Sequence, residues 1–266
     1  MRKNRTQALW QAGDCAFNVW IQNPATVQAE MLATLGFDAV TVDMQHGFVD
    51  YAAAVGLFTA ISTTAATPLV RVRDNDPGQI GQVLDAGAYG VICPLVNTAR
   101  EAEAFVEACR YPPVGRRSFG PMRATIYAGT DYFAHANETI LAIAQIETAT
   151  ALEQLEEIVT VPGLDAVYVG SADLSLSLGG RPVIDHADPA AAKVHAQIVE
   201  TAHRHGVKVG LHAPDEAAAR RCLEHGADLV TLGNDHAMVV AAARRVLEAA
   251  RADSGLRPQP VGTPAA

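Results

Sequence analysis

Eight short runs of apolar, largely β-branched residues recur along the chain, and each is followed by a stretch of helical character. The runs are FNVWIQ (17–22), AVTVDM (39–44), TPLVRV (67–72), GVICP (90–94), LAIAQIE (141–147), AVYVG (166–170), KVGLH (208–212) and DLVTLG (228–233). Strands this apolar are buried on both faces, and strands that alternate with helices pair in parallel. Eight βα units in 266 residues predict a closed (β/α)8 TIM barrel, a fold of about 250 residues. An open doubly wound sheet is the weaker reading, because no GxGxxG follows the first run. Intervening stretches such as TAREAEAFVEACR and PAAAKVHAQIVETAHRHG read as helices, and several stop at glycine directly before the next strand, as in LGFDAV and EHGADLV. The expected organisation is one catalytic barrel over 1–252 and a flexible, Pro-rich C-terminal tail over 253–266. The segment YPPVGRRSFGPMRATIYAGTDYFAHAN, ahead of the fifth strand, reads as a long loop serving a site or a subunit contact.

The net charge of −9, with no basic stripe interleaved with aromatics, argues against a nucleic-acid partner. No apolar run reaches membrane-spanning length, which argues against a membrane partner. The basic start, MRKNRTQALWQAGD, lacks the apolar core and cleavage site of a signal peptide. Cys15, Cys93, Cys109 and Cys222 are widely spaced without a CxxC, so a reduced, cytoplasmic protein is expected rather than a disulfide framework or a zinc site.

In such a barrel the chemistry gathers at the C-terminal ends of the strands. Strand two ends in Asp43-Met44-Gln45-His46, strand three in Arg71-Val72-Arg73-Asp74, strand five in Gln145-Ile146-Glu147 and strand six in Gly170-Ser171-Ala172-Asp173. Glu147 and Asp173 come from adjacent strands, and two neighbouring carboxylates repel unless a proton or a cation lies between them. Hard oxygen donors favour Mg²⁺ or Mn²⁺, with Co²⁺ also admissible, over tetrahedral zinc. A divalent metal on two ligands keeps positions open for the carboxylate and keto oxygens of a 2-keto acid, and can stabilise an enolate as a Lewis acid. Against this stands the reading that both acids merely cap the helices that follow them. Arg71 ends an apolar strand, where it either offsets charge at the rim or forms a structural ion pair with a neighbouring acid. Arg73 and Asp74 read as an exposed loop pair. His46 is the natural general acid or base, and either Asp43 or Asp85 is expected to orient it. His135, His186, His195, His203, His205, His212, His225 and His236 read mainly as surface or loop residues, with His212 also near the rim.

The phrases GFDAVTVDMQHG, LDAGAYGVICPLVNTAREAEAFVEACRYPPVGRRSFGP, AQIETATALEQLEEIVTVPGLDAVYVGSADLSLSLG and GADLVTLGND resemble the metal-dependent, class II pyruvate aldolases typified by 4-hydroxy-2-oxoheptanedioate aldolase and 2-keto-3-deoxy-sugar-acid aldolases. The likeness spans about residues 15–250. It implies a phosphoenolpyruvate/pyruvate-binding barrel whose metal is held by Glu147 and Asp173. By the same resemblance His46 accepts the proton, Arg71 stabilises the enolate and Asp85 raises the histidine's basicity. Gln145 and the backbone at Ala172, with Ser171 and Asp173 beside it, would contact the keto acid. The resemblance further implies a homo-oligomer, a hexamer built as a trimer of dimers. Its subunits exchange the eighth helix, here NDHAMVVAAARRVLEAAR, and Leu211 lines a neighbour's site. Two departures stand out. Met44-Gln45-His46 replaces the Gly-Glu-His of many sugar-acid members, and Ser171-Ala172-Asp173 replaces a Pro-Ser/Ala-Asp phrase.

The expected reaction is therefore cleavage of a 4-hydroxy-2-keto acid to pyruvate or hydroxypyruvate and an aldehyde, both small-molecule partners. The alternative keeps the enolate and breaks another bond, as in oxaloacetate decarboxylation or citrate-lyase-like chemistry, and a non-catalytic keto-acid-binding barrel is a third reading. Schiff-base catalysis is disfavoured because no lysine ends a strand, Lys208 lying at the opposite end of strand seven. Arg123 is expected either to meet an acidic group on the aldehyde or to be a solvated loop charge.

Overall fold

The computed structural model describes residues 1–182 and 187–254. Eight parallel strands close on themselves in sequence order: β1 (Ala16–Ile21), β2 (Ala39–Asp43), β3 (Thr67–Arg71), β4 (Gly90–Cys93), β5 (Leu141–Ile146), β6 (Ala166–Val169), β7 (Lys208–Ala213) and β8 (Leu229–Asn234). Closure is made by β8 against β1, with Ala16 opposite Leu229 and a register shift between Asn18 and Trp20. Helices α1 (Arg5–Ala12), α2 (Thr26–Ala33), α3 (Tyr51–Ile61), α4 (Pro77–Asp85) and α5 (Ala99–Cys109) lie in the first half. There follow α6 (Met122–Ala128), α7 (Tyr132–Thr139), α8 (Ala149–Glu153), α9 (Leu155–Val159), α10 (Ser171–Ser177), α11 (Pro189–Arg204), α12 (Glu216–Glu224) and α13 (Asp235–Ser254). The glycine stops behave as expected, with Gly36 at φ 100° and Gly226 at φ 82° turning the chain into the next strand.

The two-residue period of each strand sorts its side chains between two apolar compartments. Outward positions such as Val40, Val42, Val70, Val167 and Leu211 pack beneath the helices. Inward positions such as Ala39, Leu69, Ile92, Ile143 and Tyr168 fill the barrel axis. Trp10 of α1 joins this inner cluster and donates its indole N–H to the Asp228 carbonyl at 2.8 Å, so the first helix stoppers the N-terminal end of the barrel. Asn4 ties that stopper down by donating to the carbonyls of Tyr89 and Thr139.

The segment expected as a long loop holds α6 and α7. It follows α5, not β4, and a helix runs back antiparallel to its strand. The segment therefore lies at the foot of the barrel, away from the strand C-termini. The stretch ATALEQLEEIV breaks at Gln154 into α8 and α9. Helix α13 extends to Ser254, past the start expected for the tail, and 255–266 lie outside the described residues. His186 lies outside them as well.

Candidate active site

Inward parity continues to the strand ends and aims a set of polar side chains at one mouth. Trp20, Gln22, His46, Arg71, Gln145, Ala172, Asp173, His212 and Asn234 line a cavity of about 230 Å³ there. Arg71 lies opposite Asp43 in the β2–β3 register. Its Nε and Nη2 donate to the two oxygens of that carboxylate at 2.9 and 2.7 Å, a bidentate pair. Arg71 thus forms the ion pair and also has a place on the cavity wall. The guanidinium also lies 4.1 Å from the centre of the Trp20 ring, which adds a cation–π contact.

Burial works to raise the Asp43 carboxyl, but the Arg71 guanidinium outweighs it and holds the group below the usual carboxylate range. Asp43 and Arg71 are 0 % and 6 % exposed, and breaking a buried pair costs about 3–5 kcal/mol. Asp43→Asn is expected to lose stability by about that amount at pH 7. A lowered pKa confers stability that is fully present above about pH 4 and lost as pH falls through the folded value. Denaturant unfolding from pH 7 to pH 3 should show the wild-type and variant curves converging in acid.

Asp43 Oδ1 also accepts the backbone N–H groups of Gln45 and His46, at 3.1 and 3.2 Å. Asp43 rather than Asp85 therefore touches His46, through the main chain. Arg73 does more than sit in a loop. Its side chain donates to the carbonyls of Met44 and Val49, clamping the segment that presents His46.

Glu147 is 2 % exposed. Its Oε1 accepts the Leu95 N–H at 2.7 Å and its Oε2 accepts from Gln145 Nε2 at 2.5 Å. Leu95 has φ 54°, the one positive value among the described non-glycine residues, and this left-handed turn directs its N–H to the carboxylate. Burial pushes the Glu147 carboxyl up and the like charge of Asp173 adds to that, against the Leu95 amide and Arg71. Gly170, between them in the chain, has no room for a side chain: a Cβ would lie 2.5 Å from Glu147 Oε2. Neither acid is a helix cap. Thr148 caps α8, and Asp173 sits inside the first turn of α10, whose N-cap is Gly170.

The donor set fits a divalent cation. The Glu147 and Asp173 carboxylates repel each other, a repulsion that Arg71 and the Leu95 amide offset only in part, each oxygen retains a lone pair, and the neighbouring Gln145 Oε1 is buried without a hydrogen-bond partner. Among the described residues no three His, Cys, Asp or Glu side chains gather in metal-binding geometry. The protein would thus supply two carboxylates and leave other positions to substrate and water.

Several expected residues lie elsewhere. Asp85 ends α4 at the foot of the barrel, where its Oδ1 accepts from Arg117 at 2.7 Å, so within one chain it does not approach His46. Leu211 is fully buried at an outward position, and the alternation that hides it turns His212 into the cavity instead. Arg123 donates to Ala86 O, Thr59 and Ser62 near the foot, remote from any aldehyde at the mouth. Lys208 pairs with Asp228 at the start of β7. His135, His203, His205, His225 and His236 lie at or near the surface, but His195 is buried at 2 % exposure. Trp20, Gln22 and Asn234 escaped the sequence reading. Inward parity at the end of β1 was the signal that could have found the first two.

Residues 17–252 match the family model described as HpcH/HpaI aldolase/citrate lyase. The hydroxypyruvate/pyruvate aldolase of Rhizorhabdus wittichii is 43 % identical over 94 % of this chain and 99 % of its own. A 5-keto-4-deoxy-D-glucarate aldolase of Shigella sonnei is 35 % identical over 87 % of this chain and 91 % of its own. Among solved structures, an HpcH/HpaI aldolase/citrate lyase family protein of Burkholderia cenocepacia superposes with a TM-score of 0.85 at 31 % identity, covering 92 % of this chain and 98 % of that one. With a family match over residues 17–252, relatives similar over nearly their whole length and a mouth lined by an aspartate, an arginine and a histidine, the chain belongs to the HpcH/HpaI aldolase/citrate lyase family and is an aldolase, a carbon–carbon lyase.

Proposed function

We propose that the enzyme reversibly cleaves 4-hydroxy-2-keto acids to pyruvate or hydroxypyruvate and an aldehyde, with Glu147 and Asp173 holding a divalent cation, Mg²⁺ or Mn²⁺. The observation that carries this reading is the meeting of His46, Arg71, Gln145 and Asp173 on one cavity wall, with Glu147 directly behind. When bound, the cation supplies Lewis-acid polarisation of the keto oxygen. His46 takes the proton of the 4-hydroxyl, the C3–C4 bond breaks, and its electron pair moves into the enolate of the keto acid. Arg71, fixed by Asp43, places positive charge where that oxygen becomes negative. Gln145 and the Ala172 backbone orient the keto acid. The proton held on His46 is then available to C3.

Both keto acids are supported by the relative with 43 % identity, a hydroxypyruvate/pyruvate aldolase. The experiment is direct: incubate the purified protein with a 4-hydroxy-2-keto acid and Mg²⁺ or Mn²⁺ and measure pyruvate. Release that stops on adding a chelator and resumes on restoring the metal supports the reading. Carbon dioxide from oxaloacetate without aldol cleavage favours the decarboxylase alternative, and keto-acid binding without turnover removes catalysis altogether.

A homo-oligomer, a hexamer exchanging α13 between subunits, completes the reading. It is supported by Val239, Val240, Val246 and Leu247, which α13 leaves exposed. The four unbridged cysteines fit a reducing compartment such as the cytoplasm. Among the described residues no helix is long and apolar enough to cross a membrane.

A further inference from the structure

The two carboxylates at the mouth are linked by a very short piece of chain. Gly170 packs against Glu147, and three residues later Asp173 lines the cavity. Whatever holds residues 170–173 therefore fixes the spacing of the two acids. Gly170 and Ala172 have no polar side chain with which to anchor this turn, and α10 begins without a side-chain cap. With seven residues, the helix is too short to be held by its own hydrogen bonds. The Gly170 N–H donates to the Ile146 carbonyl at 3.0 Å, and Ser171 supplies side-chain anchorage beside it. Ser171 is 8 % exposed, and its Oγ lies 3.1 Å from Nε2 of His195. That histidine is 2 % exposed in α11, across a second cavity from the mouth that Ser171 also lines.

We propose that His195 is a positioning residue for the metal-binding acids: by holding the Ser171 hydroxyl it fixes the first turn of α10, and with it the separation of Asp173 from Glu147. The inference rests on the reading that these two carboxylates bind a divalent cation. Its physical basis is that losing a group which orients metal ligands costs about 10- to 100-fold in metal affinity. An imidazole and a hydroxyl withdrawn from water contribute little net stability through the bond between them, since a hydrogen bond returns only about 1 kcal/mol beyond desolvation. What the pair adds is direction. It joins α10 to α11 at the residue between Gly170 and Ala172.

The test uses the full chain with Mn²⁺ alone, following free Mn²⁺ by electron paramagnetic resonance while thermal unfolding is recorded in parallel. Ser171→Ala and His195→Ala are each expected to weaken Mn²⁺ binding by about 10- to 100-fold. The double variant should bind no more weakly than the weaker single one, because both remove the same bond. His195→Gln, whose amide can reach the hydroxyl, should restore most of the affinity. Should His195→Ala fail to fold, Ser171→Ala, which removes a single oxygen, still decides the matter. Wild-type Mn²⁺ affinity in folded Ser171→Ala, with only a lower Tm, would make the pair a packing feature and overturn the proposal. Additive losses in the double variant would overturn it too. Glu147→Gln serves as the control: if it binds Mn²⁺ as tightly as wild type, the metal reading itself fails. If it binds weakly while Ser171→Ala does not, the tether alone falls.

Discussion

Glu147→Gln is expected to abolish aldol cleavage, with kcat/KM falling at least about 10³-fold, the kinetic equivalent of several kcal/mol of charge stabilisation. The substitution keeps the side chain's size and its place under Gly170, so the loss would not come from a cavity or a collapsed barrel. It removes one negative charge from a site where Asp173 already repels it and burial already disfavours it. A carboxylate kept there at such cost is best explained by a cation it serves. The change relieves local repulsion, and the Gln145 amide can turn its unpartnered Oε1 to the new NH2, so the variant should unfold at an equal or higher temperature than the metal-free wild type while losing its activity. Pyruvate release and a metal-free melting curve, taken side by side, check both halves. Retained metal-dependent turnover would refute the assignment.

His46→Asn should lower kcat by about 10²–10⁴, the usual worth of a positioned general acid or base. His46 is exposed on the loop after β2 and is held by backbone contacts to Asp43. Replacing it should therefore leave thermal stability and Mn²⁺ affinity nearly unchanged. The split between kcat and KM is the sharper readout. If His46 takes the hydroxyl proton, the loss should fall on kcat and leave KM nearly unchanged. A variant that loses rate only through KM would make His46 a binding group.

Much of this architecture was legible in the residues because period two and period 3.6 look different in a sequence. The eight runs could be read as strands, and the glycine stops located their beginnings. Parity then carried polar residues at the strand ends to the mouth. What escaped was what depends on partners distant in sequence. Nothing around His195 announces that Ser171, 24 residues earlier, will meet it in the interior. Arg73 looked like half of an exposed pair because its acceptors, Met44 and Val49, belong to another βα loop. The segment before β5 reads as serving a site or a subunit contact by its length alone, and the structure takes it away from the site. The helix TAREAEAFVEACR ahead of it turns the chain back toward the foot, and that reversal of direction was the available clue. Asp85 stood beside Asp43 as an acid that could orient His46, and within one chain Arg117 takes its carboxylate.

The Trp10 stopper divides labour along the axis of the molecule. Closure, with the straps from Asn4 and the packed side chains above them, resides at one pole, while selectivity resides in the βα loops at the other. The loop after β7 can therefore diverge to admit a differently shaped aldehyde without loosening the frame that aligns the acids. A lineage built this way can change its diet while keeping its skeleton.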